Sequence, residues 1–350
     1  MSKYVSHPGE IIPITKLIVK QAKLKNRLEN NSPEWEWCFD LLRKTSRSFY
    51  FVILGIHPDF VRPIAVFYLI ARALDSIVGA NPNEIRLLQE YGNLAKCYNS
   101  LKPVEQRVIT DSIKEMGFGM NEFLDQDIIS LAQYDKYCYY VAGLVGINTI
   151  ELTIATKVCA PFSIPEEAKR SGCNSARLLL QKINIIRDIR EDLLQIPQPR
   201  IFWPKEVWSK YAEKLDDFLL PGNKQAAINC CNELILNAIP HVFDGISLYP
   251  NVSELTCRNM IGISFTMAVA MLGLCYNNEK VFTSAVKLKK GETAWIYDNC
   301  TDIASFMRLV KYYSCKLKVK MEANKEKRME LIKKCIKKCD ELIRAHGIGK

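Results

Sequence analysis

Apolar residues recur at i, i+3 and i+4 through residues 36–56, 60–80, 84–100, 104–124, 130–158, 172–196, 223–248, 254–276 and 296–345. That period places them along one side of a helix, so each stretch predicts a helix with one face turned inward. Strand-like alternation is scarce. Asp244-Gly245 is a turn pair, but it lies near Pro240 with no strand pattern on either side. The breaks fall at Pro58 and Pro63, Asn81-Pro82, Pro161 to Pro165, Pro197 to Pro204, Pro221-Gly222 and Pro250. They are spread evenly and read as turns between helices. No composition shift and no internal period marks a second domain. The pattern predicts an all-α fold. It comprises an N-terminal extension over 1–34, one large helical domain over 35–310, and a basic amphipathic helix over 311–350.

The run from Met260 to Tyr276, MIGISFTMAVAMLGLCY, is uninterrupted by charge. It is at the lower limit for crossing a bilayer and carries Ser264 and Thr266, so the expectation is a buried helix of a large bundle. With 48% hydrophobic and 25% charged residues, the chain can bury such a core.

Charge changes the picture only at one end. Net charge is +10, and residues 311–350 hold thirteen Lys or Arg against five Asp or Glu. A basic tail on a near-neutral body gives no footprint for nucleic acid, and none is expected as a partner. The thirteen cysteines are odd in number and scattered, with no C-x-x-C pair. The start, MSKYVSHPGE, has no apolar signal core. Reduced thiols in or facing the cytosol are expected.

The clearest chemistry is in LQKINIIRDIREDLLQ (180–195). Gln181, Asn184, Asp188 and Asp192 are spaced by three, four and four, which aligns them on one helix face. Two carboxylates one turn apart can hold a hard cation such as Mg²⁺ that keeps phosphate oxygens as its other ligands. Arg187 beside Asp188 can neutralise a phosphate. The same residues can equally be a solvated face, with Asp188 and Asp192 paired to Arg187, Arg190 or Lys182. In RALDSIVGAN (72–81), Asp75 follows Arg72, but the position one turn on is Gly79.

Several segments together resemble squalene synthase, of the squalene/phytoene synthase family. They are TSRSFYFVI (45–53), FYLIARALD (67–75), YDKYCYYVAGLVG (134–146), LQKINIIRDIRED (180–192), RIFWPKEVW (200–208), CYNNEKVF (275–282) and AVKLKKG (285–291). They occur in the family's order and cover most of 35–310. The resemblance implies an all-α isoprenoid synthase bundle with a central cavity. It also implies Mg²⁺ and NADPH as cofactors and farnesyl diphosphate as substrate, joined head to head to presqualene diphosphate and reduced to squalene.

By that resemblance Asp75, Asp188 and Asp192 are metal ligands. Ser46, Arg47, Ser48, Tyr68, Arg72, Gln181, Asn184 and Arg187 bind substrate. Tyr137 is the catalytic phenol, suited to carbocation contact and proton transfer. Lys287 and Lys289, with Arg47, Arg72 and Arg187, are the cations for NADPH and diphosphate. No G-x-G-x-x-G opens a βαβ unit, so NADPH would not use a Rossmann fold. Phe49, Phe51, Phe67 and Leu179 are candidates for a prenyl channel or simply for core. The family's place is the endoplasmic reticulum membrane, facing the cytosol.

Two features depart from the family. After Asp75 its acidic pair is absent, and Asp75 to Tyr137 is shorter by about thirty residues, about 45 Å of chain if helical. That is the pattern of one contiguous block missing after Ile77. Glu84 lies past Pro82 and cannot share Asp75's helical face. At the other end, AHGIGK follows KKCIKKCDELIR with no further apolar stretch, so the basic helix is expected to be solvated, a linker, or laid on an anionic membrane surface. Two other functions stay open. One is a form that binds prenyl diphosphate or a partner without turnover. The other is a phytoene- or dehydrosqualene-type synthase, against which VKLKKG and KYCYYVAGLVG argue.

Overall fold

The computed structural model describes residue 15 and residues 31–46, 49–77, 82–124, 126–195 and 199–347. The described residues are 79% helical, with no strand among them, as the apolar period predicts. The first helices are α1 (Pro33–Ser46), α2 (Phe49–Leu54), α3 (Pro58–Ser76), α4 (Pro82–Gln89), α5 (Tyr91–Asn99) and α6 (Pro103–Glu122). Then follow α7 (Leu131–Cys138), α8 (Leu144–Ala155), α9 (Glu166–Leu193), α10 (Lys205–Trp208) and α11 (Lys224–Leu248). The last are α12 (Leu255–Cys275), α13 (Lys280–Thr283), α14 (Lys290–Asn299), α15 (Ile303–Ala323) and α16 (Glu330–His346).

Three predicted helices are divided besides the 36–56 stretch, which holds α1 and α2. The 84–100 stretch breaks at Glu90 between α4 and α5, and 296–345 contains parts of α14, α15 and α16. The 130–158 stretch is interrupted by one π-helical turn, Tyr139–Gly143, in which the Leu144 N–H reaches back to the Tyr139 carbonyl. A period of apolar side chains does not say which carbonyl each N–H selects. The π turn was therefore invisible, though such turns collect at functional sites.

Two apolar cores form. One is built on α1, α3, α5 and α8, the other on α9, α11, α12, α15 and α16. Helix α9 feeds both, with Cys173 in the first and Leu179, Ile183, Ile186 and Ile189 in the second. It starts at Pro165 with Glu166 and Glu167 in its first turn, where carboxylates suit the helix dipole. The Met260–Tyr276 run is the buried helix α12, packed between α9 and α15. Residues 311–323 lie within α15, and α16 buries Ile332, Cys335 and Cys339 against the second core. All thirteen cysteines are free thiols.

Close approach of α8 to α9 depends on the A-G-L-V-G segment. A Cβ on Gly146 would strike the Arg177 stem and stand 3.0 Å from the Cys173 carbonyl. One on Gly143 would strike Asn174.

The most demanding interaction is the wholly buried ammonium of Lys182 on α9. It pairs with Asp135 Oδ1 of α7 at 2.6 Å. It donates to Asn237 Oδ1 at 2.7 Å and His241 Nε2 at 2.9 Å, both on α11. Because Nε2 accepts, the imidazole proton sits on Nδ1, facing Ser175 Oγ at 3.2 Å, which donates to Asp244 Oδ2. Burial, and secondly the Lys182 cation, hold the His241 pKa down at about 3.

Removing Asp135 leaves a buried ammonium without its anion. Asp135→Ala should cost about 3 kcal/mol, and Lys182→Met on that background should recover part of it. Urea unfolding of the single and double variants reads both. His241 has a folded pKa below its ordinary 6.5, so its contribution is complete above 6.5 and lost as pH falls toward about 3. The urea midpoint should fall between pH 7 and pH 5, and His241→Asn should flatten that slope.

Candidate active site

Tyr68, Arg72 and Asp75 lie along one face of α3. The Tyr68 hydroxyl donates to the Thr45 carbonyl at the end of α1, 3.3 Å away, and accepts from Arg72 Nη2 at 3.4 Å. The guanidinium also sits 5.8 Å from the Tyr68 ring centre. Arg72 Nη1 stands 3.6 Å from Asp75 Oδ2 and 4.0 Å from Glu84 Oε1, both longer than a hydrogen bond. Its Nε is buried with no partner. An under-satisfied guanidinium of this kind suits an incoming polyanion.

Asp75 keeps 42% of its side-chain surface open, yet surrounding protein crowds it. Burial pushes its pKa up, Glu84 adds to this, and Arg72 and Arg200 oppose it. A carboxylate both reachable by water and hemmed in lines a concavity.

Asp188 is gripped by the neighbouring Arg187, through Nε at 2.7 Å and Nη2 at 2.5 Å. Asp192, one turn on, is 8% exposed. Burial pushes its pKa up to about 6, with Asp188 and Glu191 adding and Arg200 opposing. Gln181 is half-buried and Asn184 exposed on the same helix.

Tyr137 completes the group. Its ring stacks on Phe202 at 5.1 Å between centres and meets Phe123 edge-on at 5.5 Å. Burial, then Cys138, Asp75 and Asp192, push its pKa up against the pull of Arg200, so it remains a neutral phenol. Tyr137 of α7 thus feels both Asp75 of α3 and Asp192 of α9, and the Arg200 cation acts on all three.

Arg200 binds this set together and was not singled out from sequence. Its guanidinium lies 3.6 Å from Asp192 Oδ1 and 5.8 Å from the Phe202 ring centre, and the Arg200 backbone N–H donates to the Asp192 main-chain carbonyl at 3.0 Å. Its segment is clamped on both sides. Trp203, wholly buried, donates its indole N–H to the Ile185 carbonyl of α9. Glu206 accepts from the Leu131 N–H that opens α7. The signal available was the proline-bounded R-I-F-W-P segment, read as a turn.

The other expected residues fare unevenly. Ser46 is buried, with its hydroxyl donated to the Leu42 carbonyl of its own helix. Arg47 and Ser48 lie outside the described residues, as do 78–81 and the Phe51 side chain. Phe67 and Leu179 are wholly buried core residues, whereas Phe49 is half-buried against Tyr68. Lys287 and Lys289 are exposed on an extended segment whose Val286 is buried and Leu288 packs on the core. The next element back, α13, packs on α9.

Known proteins resemble this chain over most of its length. The family described as Squalene/phytoene synthase matches residues 42–292. The Botryococcus squalene synthase of Botryococcus braunii is 34% identical over 90% of this chain and 74% of its own length. Squalene synthase 1 of Arabidopsis thaliana is 32% identical over 91% of this chain and 83% of its own. A solved ligand complex of TcSQS superposes with a TM-score of 0.85 at 29% identity, covering 89% of this chain and all of that one. The chain belongs to the squalene synthase family. It is accordingly an enzyme of the farnesyltransferase type with the all-α isoprenoid synthase fold.

Squalene synthase membership makes a divalent metal and NADPH plausible. Among the described residues no three acidic, His or Cys side chains converge as a preformed metal cluster. The donor set still fits Mg²⁺, which is commonly held by one or two carboxylates plus substrate phosphates. Asp75, Asp188 and Asp192 are the carboxylates that would hold it, and Arg72 Nε is buried without a partner.

Arg72→Gln and Arg200→Gln should each weaken binding of inorganic diphosphate at pH 7 by tenfold or more, on the order of 1.5–3 kcal/mol for a charged hydrogen bond. Calorimetric titration checks this, with Tyr137→Phe expected to bind as the parent does.

Proposed function

We propose that this chain joins two farnesyl diphosphates head to head to presqualene diphosphate, then reduces it with NADPH to squalene, in sterol and isoprenoid biosynthesis. The observation that carries the reading is the gathering of Asp75, Tyr137, Asp192 and Arg200 about one space. Arg72 and Arg200 bind and orient a diphosphate, and their fixed positive charge stabilises the anion as it leaves. Asp75, Asp188 and Asp192 would hold Mg²⁺, which neutralises charge on the diphosphate oxygens. Arg187 holds Asp188 in place and offers its remaining N–H groups to phosphate.

Tyr137 serves as a neutral phenol. Its hydroxyl holds a proton to be handed on, while its ring, with Phe123 and Phe202, offers π faces to a carbocation and excludes water. Lys287 and Lys289, two residues apart with both side chains exposed, fit a nucleotide phosphate, and NADPH supplies hydride for the second half-reaction. Gln181 and Asn184 add neutral donors along α9.

A second reading is an impaired enzyme that binds prenyl diphosphate or a partner without turnover. It is favoured by Asp75 having no further carboxylate after it on α3 and by the grip of Arg187 on Asp188. The phytoene- or dehydrosqualene-type alternative would omit the reduction. For location, we infer the cytosolic face of the endoplasmic reticulum membrane. Helix α16 spends its apolar face on the core and leaves Lys333, Lys334 and Lys337 exposed. That suits electrostatic contact with anionic lipid, about 1 kcal/mol per Lys, and not insertion.

Incubation with labelled farnesyl diphosphate and Mg²⁺ tests these readings. Squalene formed only with NADPH supports the first, and presqualene diphosphate accumulating despite NADPH means the reduction is broken. Dehydrosqualene points to the third, and no product with diphosphate still bound supports the impaired form. In an active preparation, Tyr137→Phe should keep substrate affinity and lose about 10²–10⁴ in kcat, the usual worth of a positioned proton donor.

A further inference from the structure

After Asp75 its helix is followed by no second carboxylate, since Ile77, Val78, Gly79 and Ala80 come after Ser76. The next acidic residue is Glu84, in the first turn of α4, which Pro82 opens six residues after the end of α3. Helical spacing excludes it from Asp75's face, and in the fold it does not use that face. Helix α4 packs back against α3, and Glu84 Oε1 comes to 4.0 Å from Arg72 Nη1, the nitrogen that stands 3.6 Å from Asp75 Oδ2. The Glu84 side chain is only 13% exposed.

We propose that Glu84 is the second carboxylate of the first diphosphate site, supplied by the following helix in place of those absent from α3. The inference rests on the diphosphate reading given above. Arg72 now lies between the two carboxylates at distances too long for hydrogen bonds, with its Nε orphaned. A diphosphate gives that guanidinium a better partner, because phosphate oxygens accept from it bidentately. Asp75 and Glu84 then both face the divalent cation that the diphosphate brings, and each can occupy one oxygen position on it. A carboxylate carried on a separate helix makes the site depend on how α4 docks, which a continuous D-x-x-E-D helix would not require.

The test is Mn²⁺ binding to the full chain, followed by electron paramagnetic resonance with inorganic diphosphate present. Asp75→Asn and Glu84→Gln should each weaken Mn²⁺ binding by about tenfold or more, and the double variant should lose less than the product of the two. With the metal chelated, diphosphate binding to Glu84→Gln should be unchanged or tighter, because a negative charge beside Arg72 has gone. Unaltered circular dichroism establishes that the variants fold. If Glu84→Gln binds Mn²⁺ like the parent while Asp75→Asn does not, the inference is overturned and the diphosphate site stands. An equal loss of diphosphate binding in chelator also overturns it, since Glu84 would then act only through Arg72. Should the parent chain take up no Mn²⁺ with diphosphate, the diphosphate reading falls first.

Discussion

A buried ammonium is costly unless every proton on it finds an acceptor and an anion stands close by. Lys182 answers that cost from two other helices, with the Asp135 carboxylate on α7 as its anion and Asn237 and His241 on α11 as hydrogen-bond acceptors. The consequence is geometric. Once Lys182 must face those partners, the rotation of α9 about its axis is set. Asp188 and Asp192, six and ten residues on, are turned about 120° and 80° away from it, and Asp192 faces Arg200 and Tyr137. The same ion pair holds Asp135, and with it Tyr137 two residues later, at a fixed height along α9. An apolar residue at 182 would pack too, but it would tolerate a rotated helix.

Around the reaction space, several charged groups are only partly satisfied: Asp75, Asp192, Arg72 and Arg200. Asp75 and Asp192 both have raised pKa values because burial outweighs the cations beside them. Arg72 and Arg200 sit at 3.6 Å from their carboxylates, near enough to attract and too far to hydrogen-bond. The exception is Asp188, already closed on Arg187. A highly charged diphosphate with its cation resolves these mismatches together, which is how binding energy can be directed to the reacting centre. Tyr137 stays neutral in this field because two carboxylates and its own burial disfavour a phenolate.

Much of this was legible beforehand. The helices followed from the 3.6-residue period, and Asp188 and Asp192 from their spacing on an apolar-backed helix. Tyr137 and Arg72 came by resemblance. What escaped is instructive. Arg200 lies in a proline-bounded segment, where side-chain direction has no period to read. Trp203 and Glu206 aim it, through contacts to α9 and α7 that are distant in sequence. The π turn after Tyr137 hid inside an unbroken apolar pattern. Glu84 was set aside on helical geometry that is correct within one helix and irrelevant across two.

The sequence by itself determined which residues are helical, which helix faces are apolar, and that carboxylates, arginines and a tyrosine of one enzyme family are present in order. These are local matters, decided by backbone hydrogen bonding and by burial along a short stretch of chain. Only the tertiary structure decided which of those groups share a space. The joining of Asp75 to Asp192 through Arg200, and the return of Glu84 to Arg72, depend on how α3, α4, α7 and α9 dock. Docking is set by buried polar partners such as Lys182 and Asp135, and by the room left at Gly143 and Gly146. Such long-range terms leave no periodic trace in the chain.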